Sequence, residues 1–330
     1  MEHQEIRFKE LPVVLLITTN FSLNGYGFYI AKSFLEFSNV FVYSQSHDLS
    51  LFYYIHSKPA TMATTRKLLI KFPKLSKIFN PSHKIKFPLL KPEDVDLVLV
   101  VDPVICNIDL HPFKKAIKVY WAQDTHIEEH KYLHFFSMNL QDYDVIYVAH
   151  LKDLVAYKQV SGKKVAYLPL GYESDIYRPL NQLEKKYDIS FVGSITQQRL
   201  QYLDHIKRRF NHLKIYFGSA YPNDANKIYN SSKIVLNISR RNELNLRVFE
   251  VLGSGQFLLT NAVEEVQTLF NPAYHLDVYS NADELLDKIE FYLKEETSRN
   301  EIANNGYREV LNKHTLENRA SQILRDAGLY

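Results

Sequence analysis

Residues 12–18 (PVVLLIT) are apolar almost without a break, with none of the polar alternation of a strand that faces water on one side. An unbroken run of this length predicts a strand covered on both faces, as in a parallel sheet. Similar runs recur at 40–43 (VFVY), 97–101 (LVLVV), 117–121 (IKVYW), 145–148 (VIYV) and 165–168 (VAYL). A helical stretch is predicted at 28–37, just after the first run. Polar residues follow most of the runs: Gln45, Asp102, Asp124 and His150. Strands alternating with helical segments predict a doubly wound α/β domain, in which ligands bind beyond the carboxyl ends of the strands. These polar residues therefore fall on the edge where chemistry is expected.

The pattern then restarts. Residues 178–186 (RPLNQLEKK) are polar and carry a proline, as a linker would. Residues 188–192 (DISFV) read as a fresh first strand that ends in Gly193-Ser194. A helix at 198–210 follows, then strands at 213–217, 234–237 and 256–259, with a short helix at 246–252 between the last two. Helices at 282–293, 296–311 and 315–327 close the chain. The expectation is two α/β domains, 1–178 and 179–330, with a C-terminal helix at about 315–330 able to pack back on the first.

Composition narrows the class. The chain has 330 residues, 46% hydrophobic and 23% charged, which excludes disorder. Its one cysteine, Cys106, cannot form an internal disulfide and fits a reducing compartment. Residues 1–10 are charged and lack the apolar core of a signal peptide, and no apolar run approaches the roughly 20 residues of a membrane span. A cytoplasmic protein is expected. The net charge of +3 is uneven: 66–91 holds eight Lys or Arg and no acid, which leaves 32 basic against 37 acidic residues elsewhere. That is a local feature and not a nucleic-acid-binding composition. Its interleaved KLLIKFPKLSKIF can lie on an anionic membrane surface, grip an anionic acceptor, or serve as a solvated insertion loop.

Several clusters carry candidate chemistry. Asn24-Gly25-Tyr26-Gly27 lies between the first strand and the first helix, where glycines let backbone N–H groups approach a ligand or simply make a tight turn. A dinucleotide fingerprint would need a third glycine where Ile30 stands. Asp124 and His126 follow a strand and offer a carboxylate and an imidazole together, suited to general base work or to helix capping. The pairs Asp94/Asp96 and Asp142/Asp144 precede their strands, at the edge where such sheets do not bind ligands, and read as turn and cap residues. The 13 histidines show no metal-ligand spacing, so no metal site is expected. The richest stretch is 236–260 (LNISRRNELNLRVFEVLGSGQFLLT). There Arg247 and Glu250 stand three apart and share a helix face. An Arg near a helix N-terminus fits a diphosphate, and a Glu one turn on can accept both hydroxyls of a ribose. A plain surface Arg–Glu pair has the same spacing.

FVGS at 191–194, Arg199, VLNIS at 235–239, NLRVFEVLGSG at 245–255 and HTLENRA at 314–320 together resemble a known pattern. It is that of the donor-binding domain of GT-B glycosyltransferases, most closely the spore-maturation-protein-like branch of the glycosyl transferase group 1 superfamily. The likeness extends upstream through YWAQDTH at 120–126 and YLPLGYESDIYRP at 167–179. The resemblance implies two Rossmann-like doubly wound domains facing a cleft, an N-terminal one for the acceptor and a C-terminal one for the nucleotide-sugar. It implies that Glu250 binds the ribose, that Arg247 or Arg199 binds the diphosphate, and that Gly193-Ser194 lets the backbone approach the donor. The implied activity moves a sugar from a nucleotide-sugar, UDP-, GDP- or other, to a hydroxyl of a glycan, protein or lipid. It needs no metal and no resident cofactor, and Asp124 or His126 serves as base or orienting group. Related retaining enzymes carry two glutamates separated by seven residues; Glu243 and Glu250 here are separated by six, which leaves the role of Glu243 and the stereochemistry open. A nicotinamide-dependent sugar-modifying enzyme and a non-catalytic glycan- or nucleotide-binding protein are the alternatives.

Overall fold

The apolar runs assemble into two separate parallel sheets. A computed structural model describes residues 11–18, 25–44, 90–101, 109–123, 139–181 and 183–330. The chain divides into two units: residues up to Pro169 together with Ala320–Tyr330, and Leu170–Arg319.

In the first unit, β1 (Val13–Thr18), β2 (Asn39–Ser44), β3 (Leu97–Val101), β4 (Ile117–Ala122), β5 (Val145–Val148) and β6 (Lys164–Tyr167) form one sheet in the order β2-β1-β3-β4-β5-β6. Every pairing is parallel. All of β1 and β3 are buried, which is why neither shows polar alternation. Helix α1 (Tyr26–Phe34) follows β1, and α2 (Leu154–Ser161) ends at Gly162 in the left-handed conformation, φ +60°. A core of Leu15, Ile17, Val98, Val100, Tyr120 and Ile146 lines one face of the sheet.

In the second unit, β7 (Tyr187–Val192), β8 (Ile215–Gly218), β9 (Ser232–Asn237), β10 (Leu258–Asn261) and β11 (Asp277–Tyr279) take the order β11-β10-β9-β7-β8, again all parallel. The helices are α3 (Gln197–Arg209), α4 (Pro222–Asn230), α5 (Leu246–Gly253), α6 (Glu264–Leu269), α7 (Ala282–Lys294), α8 (Glu296–Lys313) and α9 (Leu316–Asp326). One face of this sheet packs on Val248, Phe249, Val251 and Leu252 of α5, the other on Leu203 and Ile206 of α3 and Leu285 and Ile289 of α7. Local signals place the helix starts. Thr196 accepts from the Arg199 N–H, Asn281 accepts from the Glu284 N–H at 2.9 Å, and Pro222 opens α4.

One carboxylate of each acidic pair, and Asp188 in the second unit, have a common use. Asp96 Oδ2 accepts the Val13 N–H at 2.7 Å and Asp144 Oδ2 the Lys118 N–H at 2.8 Å, and in the second unit Asp188 Oδ2 accepts the Lys214 N–H at 2.9 Å. Each carboxylate ties off an orphan donor at the amino end of a neighbouring strand, the edge opposite to ligand binding.

The boundary between the units differs from the sequence reading. The units part after Pro169 and not after 178, because Tyr172 and Tyr177 are buried with Val248, Leu252 and Tyr229 in the second unit's core. Helix α9 is shared: Arg319 donates to Leu170 O at 3.0 Å, whereas Asp326 accepts from the Tyr147 hydroxyl and the Tyr330 ring meets Phe37 edge-on. Gly27 is not in a loop; it is buried in the first turn of α1, and Gly25 is the residue that caps that helix.

Candidate functional site

In the order β11-β10-β9-β7-β8 the direction of winding reverses between β7 and β9. That switch point opens a crevice beyond the carboxyl ends of the two strands. Three segments converge there: the Gly193–Thr196 turn after β7, the Ile238–Leu244 loop after β9, and the N-terminus of α5.

The crevice is built around two arginines. Arg199, in the first turn of α3, is only 5% exposed. Its Nε donates to Ile238 O at 2.8 Å, and its Nη1 donates to Ser194 O at 2.9 Å and Ser194 Oγ at 3.3 Å. Arg247, in the first turn of α5, donates through Nε to Val192 O at 2.6 Å and through Nη1 to Asn237 Oδ1 at 2.7 Å. Both guanidinium carbons lie over the Phe191 ring, 5.3 and 4.7 Å from its centroid, so a strand residue supplies a π-face beneath the pair. The partners that fix them are carbonyls, a hydroxyl and an amide, all neutral. Among the described residues no carboxylate comes within ion-pair distance of Arg199, Arg247 or the exposed Arg240. Burial, then the neighbouring charges of Arg247 and Arg240, push the Arg199 guanidinium down to about 10. The crevice thus holds positive charge that the fold orients without neutralising.

Gly193 shows how closely these parts fit. Its φ is +153°, and a Cβ placed on it would lie 2.1 Å from Arg247 Nη2. In the structure the group that comes close to the Gly193 backbone is the Arg247 guanidinium. Ser194 is exposed beside it.

Glu250 sits one turn below Arg247. The hydroxyls of Tyr177 and Tyr229 lie close to its carboxylate and stabilise its charge, and Tyr229 also feels Arg247. Arg247 and Glu250 form no ion pair, and the buried Tyr229 lies near both. Burial raises the Glu250 pKa above the usual carboxylate value, and the two tyrosine donors and Arg247 oppose that rise. A carboxylate has about four acceptor positions, so even with both tyrosines beside it there is capacity for further hydroxyl donors.

Around α5 the backbone is pinned. Ser239 Oγ donates to Glu243 O at 2.9 Å and accepts from the Glu243 N–H at 3.0 Å, and Glu265 Oε2 accepts the Leu244 N–H at 3.0 Å. Asn242 adopts a positive φ of +49° in this loop. Asn245 caps α5 but its side chain turns away from the helix, and Nδ2 donates to Asn237 Oδ1 at 3.1 Å. The Val248 N–H is taken by Asn245 O at 3.2 Å, no side-chain cap covers the N–H groups of Leu246 and Arg247, and the positive end of the helix favours an anion there. At the other end, Gly255 takes φ +69° as the chain leaves the helix, and a Cβ on Gly253 would lie 2.3 Å from Tyr172 Cε2. The glycines at this exit serve chain reversal and ring packing.

Arg199, Arg247, Glu250, Gly193 and Ser194 are thus brought to one strand edge. Asp124, His126, Asn24 and nearly all of 66–91 lie outside the described residues, so those expectations have no structural counterpart here. Phe191, Asn237 and Tyr177 lie inside the quoted motifs without an expected role, and Tyr229 lies outside them; all four border the two arginines and Glu250. Among the described residues no cluster of three His, Cys, Asp or Glu could hold a metal, and no helix is long and apolar enough to cross a membrane.

Residues 174–325 match the family model described as glycosyl transferase-like. No curated protein sequence matches the chain as a relative. Among solved structures, the chain resembles a glycosyltransferase from Rickettsia africae at 12% identity and a TM-score of 0.59, covering 96% of this chain and 98% of that one. It also resembles Anabaena HepE in complex with UDP-glucose, at 10% identity and a TM-score of 0.57, over 95% and 99% of the two chains. The N-terminal domain of a Candida albicans trehalose-6-phosphate phosphatase superposes with a TM-score of 0.66 at 10% identity, over 97% of each chain. Two Rossmann-like units with this likeness give the chain the GT-B fold.

Proposed function

We propose that this protein is a glycosyltransferase that moves a sugar from a nucleotide-sugar donor to a hydroxyl of a glycan, protein or lipid acceptor, without a metal ion. The observation that carries the reading is the guanidinium pair at the β7/β9 switch point, oriented by neutral groups and left unpaired by any described carboxylate. Such a site suits a diphosphate. Two guanidinium forks and the N-terminus of α5 would take the charge that develops on the leaving group as the bond from the anomeric carbon to the diphosphate oxygen breaks. Glu250, one turn further along α5, would accept the ribose hydroxyls, which sets the nucleoside beside Tyr177 and Tyr229.

The acceptor oxygen forms the new bond to the anomeric carbon and gives up its proton. Asp124 and His126 are the candidates to receive or orient it, from the carboxyl end of β4. The fold shared with HepE, whose structure holds UDP-glucose, makes UDP-sugars the first donors to test, with GDP-sugars next.

The experiment is a thermal-shift and calorimetric survey of nucleotide-sugars, followed by donor turnover with excess chelator present. A donor at 100 times its Kd should add about 2.7 kcal/mol of stability. Turnover that chelator abolishes and manganese restores would overturn metal independence. Tight donor binding without turnover on any acceptor, or hydrolysis, would instead identify a binding protein on the same fold.

A further inference from the structure

Asn237 closes β9 at the switch point, 1% exposed, and every polar atom of its side chain is used. Its Oδ1 accepts from Arg247 Nη1 at 2.7 Å and from Asn245 Nδ2 at 3.1 Å, and its Nδ2 donates to Thr260 Oγ1 on β10 at 2.9 Å. Its backbone carbonyl accepts from the Tyr279 hydroxyl at 2.9 Å, on the far side of the same sheet. One buried amide therefore joins β9, β10, the cap of α5 and the guanidinium that faces the crevice.

We propose that Asn237 is a positioning residue whose neutrality is its function: it orients Arg247 and the entrance of α5 while leaving the guanidinium's charge to the donor diphosphate. This rests on the reading of Arg247 as a diphosphate ligand. The chemistry discriminates between the amide and its closest isostere. A carboxylate at this position could accept the same two donors, and the Thr260 hydroxyl could rotate to donate to it, so the packing would be satisfied. The carboxylate would, however, form a short charge-assisted pair with Arg247 and cancel the charge the ligand needs. A structural role asks only for satisfied hydrogen bonds; an orienting role asks for satisfied bonds without a negative charge. Asn237→Asp separates the two.

The test titrates UDP, GDP and inorganic pyrophosphate into the wild type, Asn237→Asp, Asn237→Thr and Arg247→Gln, with thermal melts of each. Asn237→Asp should melt as the wild type does and bind the anions about 10- to 100-fold more weakly, the order expected for loss of one charge-assisted contact. Asn237→Thr is also neutral, but its hydroxyl stops one bond from Cβ, short of Arg247 Nη1, so it should lose affinity about as Arg247→Gln does. Wild-type affinity in Asn237→Asp, alongside weakened binding in Arg247→Gln, would overturn the proposal and leave Asn237 a packing residue. Wild-type affinity in Arg247→Gln would overturn the reading on which it rests. Should Asn237→Asp fail to fold, wild-type affinity in Asn237→Thr alongside weakened binding in Arg247→Gln overturns the proposal by itself.

Discussion

Replacing Gly193 with alanine asks whether the crevice depends on the seat of one guanidinium. The added Cβ would stand 2.1 Å from Arg247 Nη2, where real Cβ atoms do not come under 3.0 Å, so the group must retreat by about 1 Å. A free arginine tip would move at little cost. This one is held by bonds of 2.6 Å to Val192 O and 2.7 Å to Asn237 Oδ1, and a retreat of that size stretches both beyond useful length. Bonds to charged groups contribute about 1.5–3 kcal/mol each, and the backbone conformation adds about 1–3 kcal/mol of strain. Some of this will relax, so a net loss near 3 kcal/mol is expected. Nucleoside diphosphate affinity should fall about 10- to 100-fold, or 1.4–2.8 kcal/mol. Chemical denaturation and calorimetric titration of Gly193→Ala, Arg247→Ala and the double variant form a cycle. If the alanine acts through the guanidinium, it should cost only backbone strain, and no further affinity, once Arg247 is gone. Equal affinity losses in both backgrounds, or none in the single variant, would refute the reasoning.

Three further outcomes are expected. Glu250→Gln keeps one acceptor for the tyrosines and removes the cost of a buried charge, so its melting point should stay near wild type while donor affinity falls one to two decades; calorimetry and melts on the same variant check both. His314 is held neutral by burial and by Arg319, with its pKa lowered from 6.5 to about 3, so the unfolded chain takes up this proton first. Stability should therefore fall as pH drops below about 6.5 and go on falling toward 3, and His314→Gln should flatten that slope in urea titrations; an unchanged slope would contradict it. Replacing Lys71, Lys74 and Lys77 with Glu should abolish binding to anionic liposomes or acceptor and spare donor binding, as sedimentation with vesicles would show; unchanged binding would make 66–91 a solvated loop.

Strands were the most legible part of the fold because parallel strands are buried on both sides. The runs at 97–101 and 145–148 correspond residue for residue to β3 and β5. Helix α4, nine residues long and polar overall, is hard to read: Asn226 and Asn230 are among its buried residues. The three residues of β11 are too few to form a pattern. Within the site, Arg247 and Glu250 stand out as a pair on one helix face, and Arg199 comes only through the family resemblance. Phe191 and Asn237 do not stand out, because the last residues of a buried strand look like core whether or not they support a ligand. The boundary near 178 followed polar residues in the sequence, while the tyrosines at 172 and 177, which decide where the chain joins the second unit, passed as ordinary aromatics.

The assignment of Ala320–Tyr330 to the first unit has a consequence for synthesis. A ribosome finishes β6 at Tyr167 long before it reaches Asp326 and Tyr330, whose partners are Tyr147 and Phe37. At about 5–20 residues per second, the intervening chain of some 160 residues takes roughly 8–32 s to appear. During that interval the second unit can complete its own sheet from contiguous sequence, whereas the first waits with those partners open. The unit made first is therefore the one finished last, and a nascent chain halted before Ala320 should expose it to proteases and chaperones while Leu170–Arg319 resists.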